Sequence, residues 1–454
     1  MKAETPRDLA LGALIRLTRD PGFSSSILDR LFRANRDLDD RDRAFVSQLV
    51  QGVVRWRLRL DWIIGEAAHF PLRKIDPPVL DILRLALYQI FFLSRVPESA
   101  AVNEAVKQAK ARCPRHVVSF VNGLLRNICR NKDRIPFPDR SADPVLFLSV
   151  THSYPGWLVE KWIRELGEDK AEALLEAGNR TPSLTVRLNG LKTSRSILIR
   201  RMEEEGLKAK ATLHSPLGVV IEGLRGRVDQ LELFRKGLFQ VQDEAAQVAS
   251  YLLAPPPGSR VLDVCAGYGG KASHLAELMG NQGEVVALDT NRARLISLAE
   301  NSKRLGIHII HPVVANAAKQ VSDLFRSSFD RIMVDAPCSG LGVLSRHPDG
   351  KWNRDREDVR RLAGLQSTIL GQTAAALGMG GRMLYVTCTL SREENEGVVQ
   401  AFLKRNKGFA LENLRNQVPP WALDLIDERG FLRALPHLHG MDGFFAALFA
   451  RIHH

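Results

Sequence analysis

One turn restricts this chain more than any other feature: Val261-Leu-Asp-Val-Cys-Ala-Gly-Tyr-Gly-Gly-Lys271. A short apolar run enters glycines and leaves as a helical pattern after Lys271. Glycines at such a bend let backbone approach a ligand closely, in the crevice at the carboxyl end of a strand. The surroundings fit a parallel sheet. From Leu238 onward, short β-branched runs at 261–264, 285–288, 309–314, 331–334 and 383–386 alternate with helical stretches. That is the βαβ rhythm of a doubly wound α/β fold. Residues 409–414 and 443–448 follow with little helix between them, as expected for a closing antiparallel pair.

Three ligand classes use a glycine turn of this kind. The dinucleotide fingerprint G-x-G-x-x-G fails, because Ala272 stands where its third glycine belongs. The phosphate loop G-x-x-x-x-G-K-[ST] fails too, with Cys265 at its first glycine and Ala272 at its last position. The arrangement D-x-C-x-G-x-G-G better suits S-adenosylmethionine, which needs room for an amino-acid tail and not a phosphate cradle. Asp289 supports this ligand. It ends the next apolar run, where a carboxylate can accept both hydroxyls of a ribose; the structural alternative is a cap on the helix that opens near Asn291. For Asp263 the alternative is a charge satisfied by loop amides.

Upstream the grammar differs. Residues 5–132 read as all helix, with apolar positions at Leu9, Ala13, Leu14 and Leu17, and at Leu80, Leu83, Leu87, Ile90 and Phe91. Pro21-Gly22 and Pro77-Pro78 punctuate it. Arg55, Arg57 and Arg59 are expected on solvated helix faces. Residues 133–142 look like a linker. Helices are expected at 157–166, 170–177 and 194–205, and strands at 183–188 and 218–221. These make a small α+β module without assigned chemistry. The domain spans expected are 1–140, 141–237 and 238–454. The formal net charge is +13, and residues 1–140 carry 25 Lys and Arg against 16 Asp and Glu, a net of +9. An excess of cations favours a polyanionic partner, so the first domain is the expected grip on nucleic acid.

The five cysteines, Cys113, Cys129, Cys265, Cys338 and Cys388, form no C-x-x-C pair. No metal site is expected. The sparse, odd count fits a reducing compartment, and no stretch is long and apolar enough for a membrane span; the expectation is a cytoplasmic chain. Two of the cysteines end consecutive sheet strands, in Asp335-Ala-Pro-Cys338 and in Thr387-Cys388. A lone buried Cys is usually a small hydrophobe; two at adjacent strand ends beside a cofactor crevice suggest chemistry. Carbon 5 of cytosine is too poor a nucleophile to take a methyl directly. A thiolate adding to carbon 6 puts electron density on carbon 5, so one hard step becomes several easier ones. Only the thiolate attacks. Asp335 is placed to hydrogen-bond the base at nitrogen 3 and the amino nitrogen. The base must leave its stack to reach such a site.

These residues resemble the Sun/RsmB family of bacterial small-subunit rRNA cytosine-5 methyltransferases. The motifs run in order along nearly the whole chain: Gln242-Asp-Glu-Ala-Ala-Gln247, the glycine turn, Asp289, Asp335-Ala-Pro-Cys338, Arg346-His-Pro-Asp349 with Lys351-Trp352, Thr387-Cys388, Glu394-Asn395 and Asp442-Gly-Phe-Phe445. The resemblance implies an all-α NusB-like RNA-binding domain at 1–140, a small α+β, RRM-like module, and a Rossmann-like class I methyltransferase sheet. It implies Cys388 as nucleophile, Cys338 as the thiol that aids release, and Asp335 as a third catalytic residue. It implies S-adenosylmethionine at Cys265, Ala266, Gly267, Tyr268, Gly269, Gly270, Lys271, Asp289, Asn316 and Asp335. The substrate implied is 16S rRNA, free or in an early assembly particle, at the cytosine equivalent to position 967. A monomer is expected. Two positions depart from the family. Its turn reads C-A-A-P-G-G-K, where this chain has Gly267 and Tyr268, and Tyr268 is expected to pack over the cofactor. Asn316 stands where an Asp near the adenine is usual. The rival readings are a cytosine-5 methyltransferase of DNA or tRNA, and an RNA-binding protein with a vestigial catalytic domain.

Overall fold

The computed structural model describes residues 5–20, 22–224, 226–319, 321–325 and 327–453. By internal contacts the chain divides into two compact units: Met1–Arg180 with Leu344–Asn353, and Thr181–Val343 with Arg354–His454.

The first unit is helical: α1 (Pro6–Arg19), α2 (Ser24–Ala34), α3 (Asp40–Arg55), α4 (Arg57–Ala68), α5 (Pro77–Phe92), α6 (Glu98–Lys110), α7 (Arg115–Arg130), α8 (Pro144–His152), α9 (Gly156–Leu166) and α10 (Glu168–Asn179). Local chemistry sets the starts. Thr5 and Asp8 form a reciprocal capping box at α1, with Pro6 at its first position. Pro77 and Pro78 occupy the first turn of α5, where a missing N–H costs nothing. Leu83, Leu87 and Ile90 are buried on α5, and so are Ile82, Leu85 and Ala86 on its other sides. A helix apolar all round is a central one. Pro21 lies outside the described residues.

The arginines expected on a solvated face divide. Arg57 is exposed, but Arg55 is buried and donates to the Ser345 carbonyl at 2.6 Å, and Arg59 donates to the Thr151 carbonyl at 3.1 Å with its guanidinium 5.0 Å from the Phe137 ring. What covers Arg55 is residues 344–353, which come from far along the chain. Asp349 accepts from the Ser24 amide and hydroxyl at 3.1 and 2.7 Å. Trp352 Nε1 donates to the Val54 carbonyl at 2.7 Å. Lys351 is fully buried, bonded to the Arg55 and Ser153 carbonyls, each at 3.1 Å, and to Asn179 Oδ1 at 2.6 Å, with the Tyr154 ring 3.6 Å away. Burial, and then the charge of Arg55, hold its ammonium well below the usual lysine range. Lys351→Met keeps the stem but strands three acceptors. It is expected to cost about 2–4 kcal/mol, read as a lower midpoint for the unfolding transition of the helical unit. The spans 1–140, 141–237 and 238–454 therefore differ from the contact division: α8 packs on α4 and takes residues 141–180 with it, and the Lys351 plug takes 344–353.

The second unit begins with β1 (Leu184–Leu188), α11 (Arg195–Glu204), β2 (Lys208–Ala211), β3 (Gly218–Glu222), α12 (Glu232–Arg235) and β4 (Phe239–Val241), an antiparallel sheet in the order β2-β3-β1-β4. The βαββαβ succession is that of a ferredoxin-like module. β2 and β4 escape the sequence reading: β2 is Lys-Ala-Lys-Ala on a sheet edge, and β4 has three residues.

Then come α13 (Glu244–Leu253), β5 (Arg260–Val264), α14 (Gly270–Leu278), β6 (Glu284–Asp289), α15 (Arg292–Leu305), β7 (Ile310–Val314), β8 (Phe329–Asp335), α16 (Arg356–Ala374), β9 (Leu377–Thr387), α17 (Glu396–Arg405), β10 (Phe409–Glu412), β11 (Leu432–Ala434), α18 (Pro436–His439) and β12 (Phe444–Arg451). The sheet order is β10-β12-β9-β8-β5-β6-β7, with β11 beside β12. β5 to β9 pair in parallel, and β12 runs antiparallel to β9 and β10. From β5 the chain winds outward through β6 and β7, then returns to lay β8 on the other side of β5. That reversal opens a crevice at the carboxyl ends of β5 and β8. Alternate residues of the strands face two cores. Val261 packs with α13 and α14, Leu262 and Val264 with α16 and α17.

Candidate active site

The glycine turn follows β5 directly. Cys265 and Gly267 have φ of +62° and +57°, and Gly269, with φ +78°, caps α14 in the left-handed region. A Cβ on Gly269 would collide with Leu298, so this glycine is required by packing as well as by φ. Gly267 has nothing closer than 4.0 Å to an added Cβ, so its backbone is open to a ligand. Its amide donates to Asp289 Oδ2 at 2.9 Å, and the Asn291 amide donates to Oδ1 at 2.7 Å. The helix cap is the Asn291 side chain, which accepts from the Arg294 amide. Asp289 instead ties the turn to the end of β6.

Asp263 shares the Val261 face of β5, in a largely apolar layer. It is fully buried and neither carboxyl oxygen completes a hydrogen bond. The Ala272 amide, in the first turn of α14, pulls its pKa down without offsetting the burial. Burial first, then the nearby Asp335, push its pKa up to about 8, against the pull of Lys271. A buried carboxyl that keeps its proton, set behind an open glycine turn, can give that proton up to a cationic ligand whose charge stabilises the anion.

The other wall carries the thiols. Cys338 and Cys388, on loops that follow β8 and β9, have their Sγ atoms 3.2 Å apart. Lys271 Nζ lies 2.6 Å from Asp335 Oδ2. Burial opposes the Lys271 charge, but Asp335, Asp263 and Cys388 together raise its pKa. The Cys338 thiol is pushed well up, first by its hydrogen bond with Cys388 and then by burial. Cys265 goes up to about 12 through burial and the charges of Asp335 and Asp289, so it stays a thiol.

The whole chain has relatives along its length. A probable ribosomal RNA small subunit methyltransferase B of Bacillus subtilis (strain 168) is 36% identical over 98% of each chain. Ribosomal RNA small subunit methyltransferase B of Pseudomonas syringae pv. tomato (strain ATCC BAA-871 / DC3000) is 34% identical over 91% of this chain and 90% of its own. The family model described as 16S rRNA methyltransferase RsmB/F matches residues 250–450; NusB family matches 4–130, and a Methyltr_RsmF/B-like, ferredoxin-like domain matches 154–226. The chain belongs to the RsmB/F methyltransferase family.

Solved structures agree. The crystal structure of PH0851 aligns with TM-score 0.81 and 28% identity over 98% of this chain and 99% of its own. NSun6 from Pyrococcus horikoshii, solved with SFG, an S-adenosylmethionine analogue, aligns with TM-score 0.59 and 25% identity over 67% of this chain and all of its own. The architecture is thus a NusB all-α domain, a ferredoxin-like module and a methyltransferase sheet, and the cofactor is S-adenosylmethionine. The open turn, Asp289 and the orphaned Asp263 fit that ligand.

Two residues named from the family pattern stand apart in this RsmB/F chain. Asn316, exposed after β7, spends its Oδ1 on the Ala318 amide at 2.9 Å. Tyr268 is 65% exposed, and its ring lies 5.7 Å from the Arg294 guanidinium. What the sequence reading missed is the clamp under the thiols. Glu394, fully buried, accepts from the Ser339 amide at 2.8 Å, Gln366 Nε2 at 3.0 Å and Thr389 Oγ1 at 3.1 Å, as well as from the Ser339 hydroxyl. Asn395 accepts from Thr387 Oγ1 at 2.6 Å and donates to the Thr389 carbonyl at 3.0 Å. The pair thus holds residues on both sides of Cys388 and the one after Cys338. Glu394-Asn395 was visible as a motif, but Ser339 and Gln366, which complete the clamp, lie 55 and 28 positions away. Glu394→Gln replaces one carboxylate oxygen by an NH2 donor, which the Ser339 and Thr389 hydroxyls can meet only by giving up the bonds they now donate. It is expected to cost about 2–3 kcal/mol and, by loosening the thiol pair, about 10²-fold in kcat, read from denaturant melts and single-turnover kinetics.

Proposed function

We propose that this chain methylates carbon 5 of one cytosine in 16S rRNA, the equivalent of position 967, through a covalent bond between Cys388 and carbon 6. The observation that carries it is the thiol pair, 3.2 Å apart, beside the Lys271–Asp335 ion pair. Cys388 attacks carbon 6 of the extruded base. The Asp335 carboxylate accepts from the exocyclic amino group, and the Lys271 ammonium offsets negative charge building on the ring. S-adenosylmethionine, when bound, supplies a methyl made electrophilic by its sulfonium sulfur. Carbon 5 takes that methyl and then gives its proton to a solvent water. The carbon–sulfur bond breaks, and Cys338, whose raised pKa keeps it protonated, gives a proton to the departing Cys388 sulfur. In this reading residues 1–140 grip RNA, 141–237 link, and 238–454 carry the chemistry. The thiol pair also argues against a DNA enzyme working through a Pro-Cys thiol alone. Bisulfite sequencing of 16S rRNA from a strain lacking the gene tests the reading. One protected cytosine should be lost and return with the wild-type gene; an unchanged pattern would sink it.

A further inference from the structure

We propose that the ferredoxin-like module is a working part of the cofactor site, with Arg187 as the positioning residue that sets the first turn of α14 and so the shape of the glycine turn. This rests on S-adenosylmethionine as cofactor and is independent of which atom receives the methyl.

Arg187, on β1, is fully buried, and its fork is spent largely on one helix. Nε and Nη2 reach the two Glu277 oxygens at 3.2 and 2.8 Å. Nη2 also donates to Ser273 Oγ at 3.0 Å, and Nη1 to the Gly270 carbonyl at 2.8 Å and to Gln242 Oε1. Gly270, Ser273 and Glu277 lie along one side of α14, the helix capped by Gly269. Two residues beyond Arg187, Asn189 Nδ2 donates to the Leu305 carbonyl at 2.8 Å, at the end of α15. Lys192 Nζ donates to the Arg304 carbonyl at 3.0 Å. One short stretch of the module therefore grips α14 and α15, the helices that precede and follow β6 and Asp289.

Stability alone does not call for this. Apolar side chains of equal volume often hold two elements together as well as a buried ion pair does. A planar fork adds register: it fixes where α14 starts along its own axis and how it is rotated. That start decides where the Gly267 amide meets Asp289. Misplacement by about 1 Å is enough to cost binding or rate on the order of 10²-fold. Arg187 touches no reacting atom and acts only through α14.

The test uses the full-length protein with Arg187→Lys, which keeps the charge and loses the fork, and Gln242→Met, which removes one contact. S-adenosylhomocysteine affinity is measured by calorimetry, and amide exchange is followed over residues 266–272. Arg187→Lys is expected to weaken S-adenosylhomocysteine about tenfold, raise KM for the cofactor with kcat little changed, and speed exchange in the turn. RNA affinity should stay at the wild-type value. Gln242→Met should give a smaller effect of the same kind, about threefold. If Arg187→Lys does not fold, Gln242→Met decides alone. Wild-type affinity and wild-type exchange in the folded variant would overturn the proposal. A methyl found on another RNA atom would sink the carbon 5 reading and leave these results untouched.

Discussion

Cys388→Ala should abolish methylation, with a loss of at least about 10⁴-fold, and Cys338→Ala should leave RNA covalently attached to the protein. The two sulfurs are 3.2 Å apart, yet their surroundings differ. Lys271 lies within Coulomb reach of Cys388, whereas the Cys338 thiol is pushed well up by its hydrogen bond with Cys388, by burial, and by Cys388 and Glu394 charge. The Cys338 sulfur is therefore suited to hold a proton, which leaves the attack to Cys388. Without Cys388 no carbon 6 adduct forms. Without Cys338 the adduct forms and accepts the methyl, but the leaving sulfur lacks its proton donor. Denaturing gels with labelled RNA read the difference directly: a shifted protein–RNA band for Cys338→Ala, none for Cys388→Ala. The opposite pattern would exchange the roles.

The glycine turn and its tie to Asp289 were legible because the pattern is local. A strand, a glycine turn and a helix start lie within eleven residues, and Asp289 ends the next strand. The thiol pair was legible because each Cys follows a recognisable apolar strand, and the parallel register brings the strand ends together. The parts that escaped are those in which distant residues complete one another. Arg55 reads as one more surface cation until Ser345, 290 positions later, covers it. Lys351 was visible in sequence only as part of a motif with Trp352, and nothing there told that it is fully buried among carbonyls. Arg187 sits in a module whose strand pattern gave no hint of chemistry, because its partners belong to α14. Buried polar groups of this kind satisfy each other across the chain, and no periodicity records that.

Asp263→Asn should flatten a pH dependence of stability that the wild type shows between about pH 4 and pH 8. Alternation along β5 aims this side chain into the layer shared with α13 and α14. Its carboxyl is fully buried without a completed hydrogen bond, and burial, together with Asp335, pushes its pKa up to about 8. The folded chain thus holds this proton more tightly than the unfolded chain, where a carboxyl titrates near 3.8. The sign follows from linkage. Below pH 4 both states are protonated and the neutral group is tolerated. As pH climbs, the unfolded chain releases its proton first, and stability falls until the folded group titrates near pH 8. A shift of that size corresponds to a loss on the order of 5 kcal/mol across the window. Asn is neutral throughout, so the difference in unfolding free energy between variant and wild type isolates the group. That difference should grow with pH in the variant's favour and level off above about pH 8. S-adenosylhomocysteine offers a control: its ammonium near the turn should favour the Asp263 anion, so binding should draw the wild-type profile down toward acid and leave the variant's profile in place. A stability difference that stays flat with pH would mean the Asp263 carboxyl is already charged in the folded chain and compensated, which would remove the reason for treating it as a cation-seeking group.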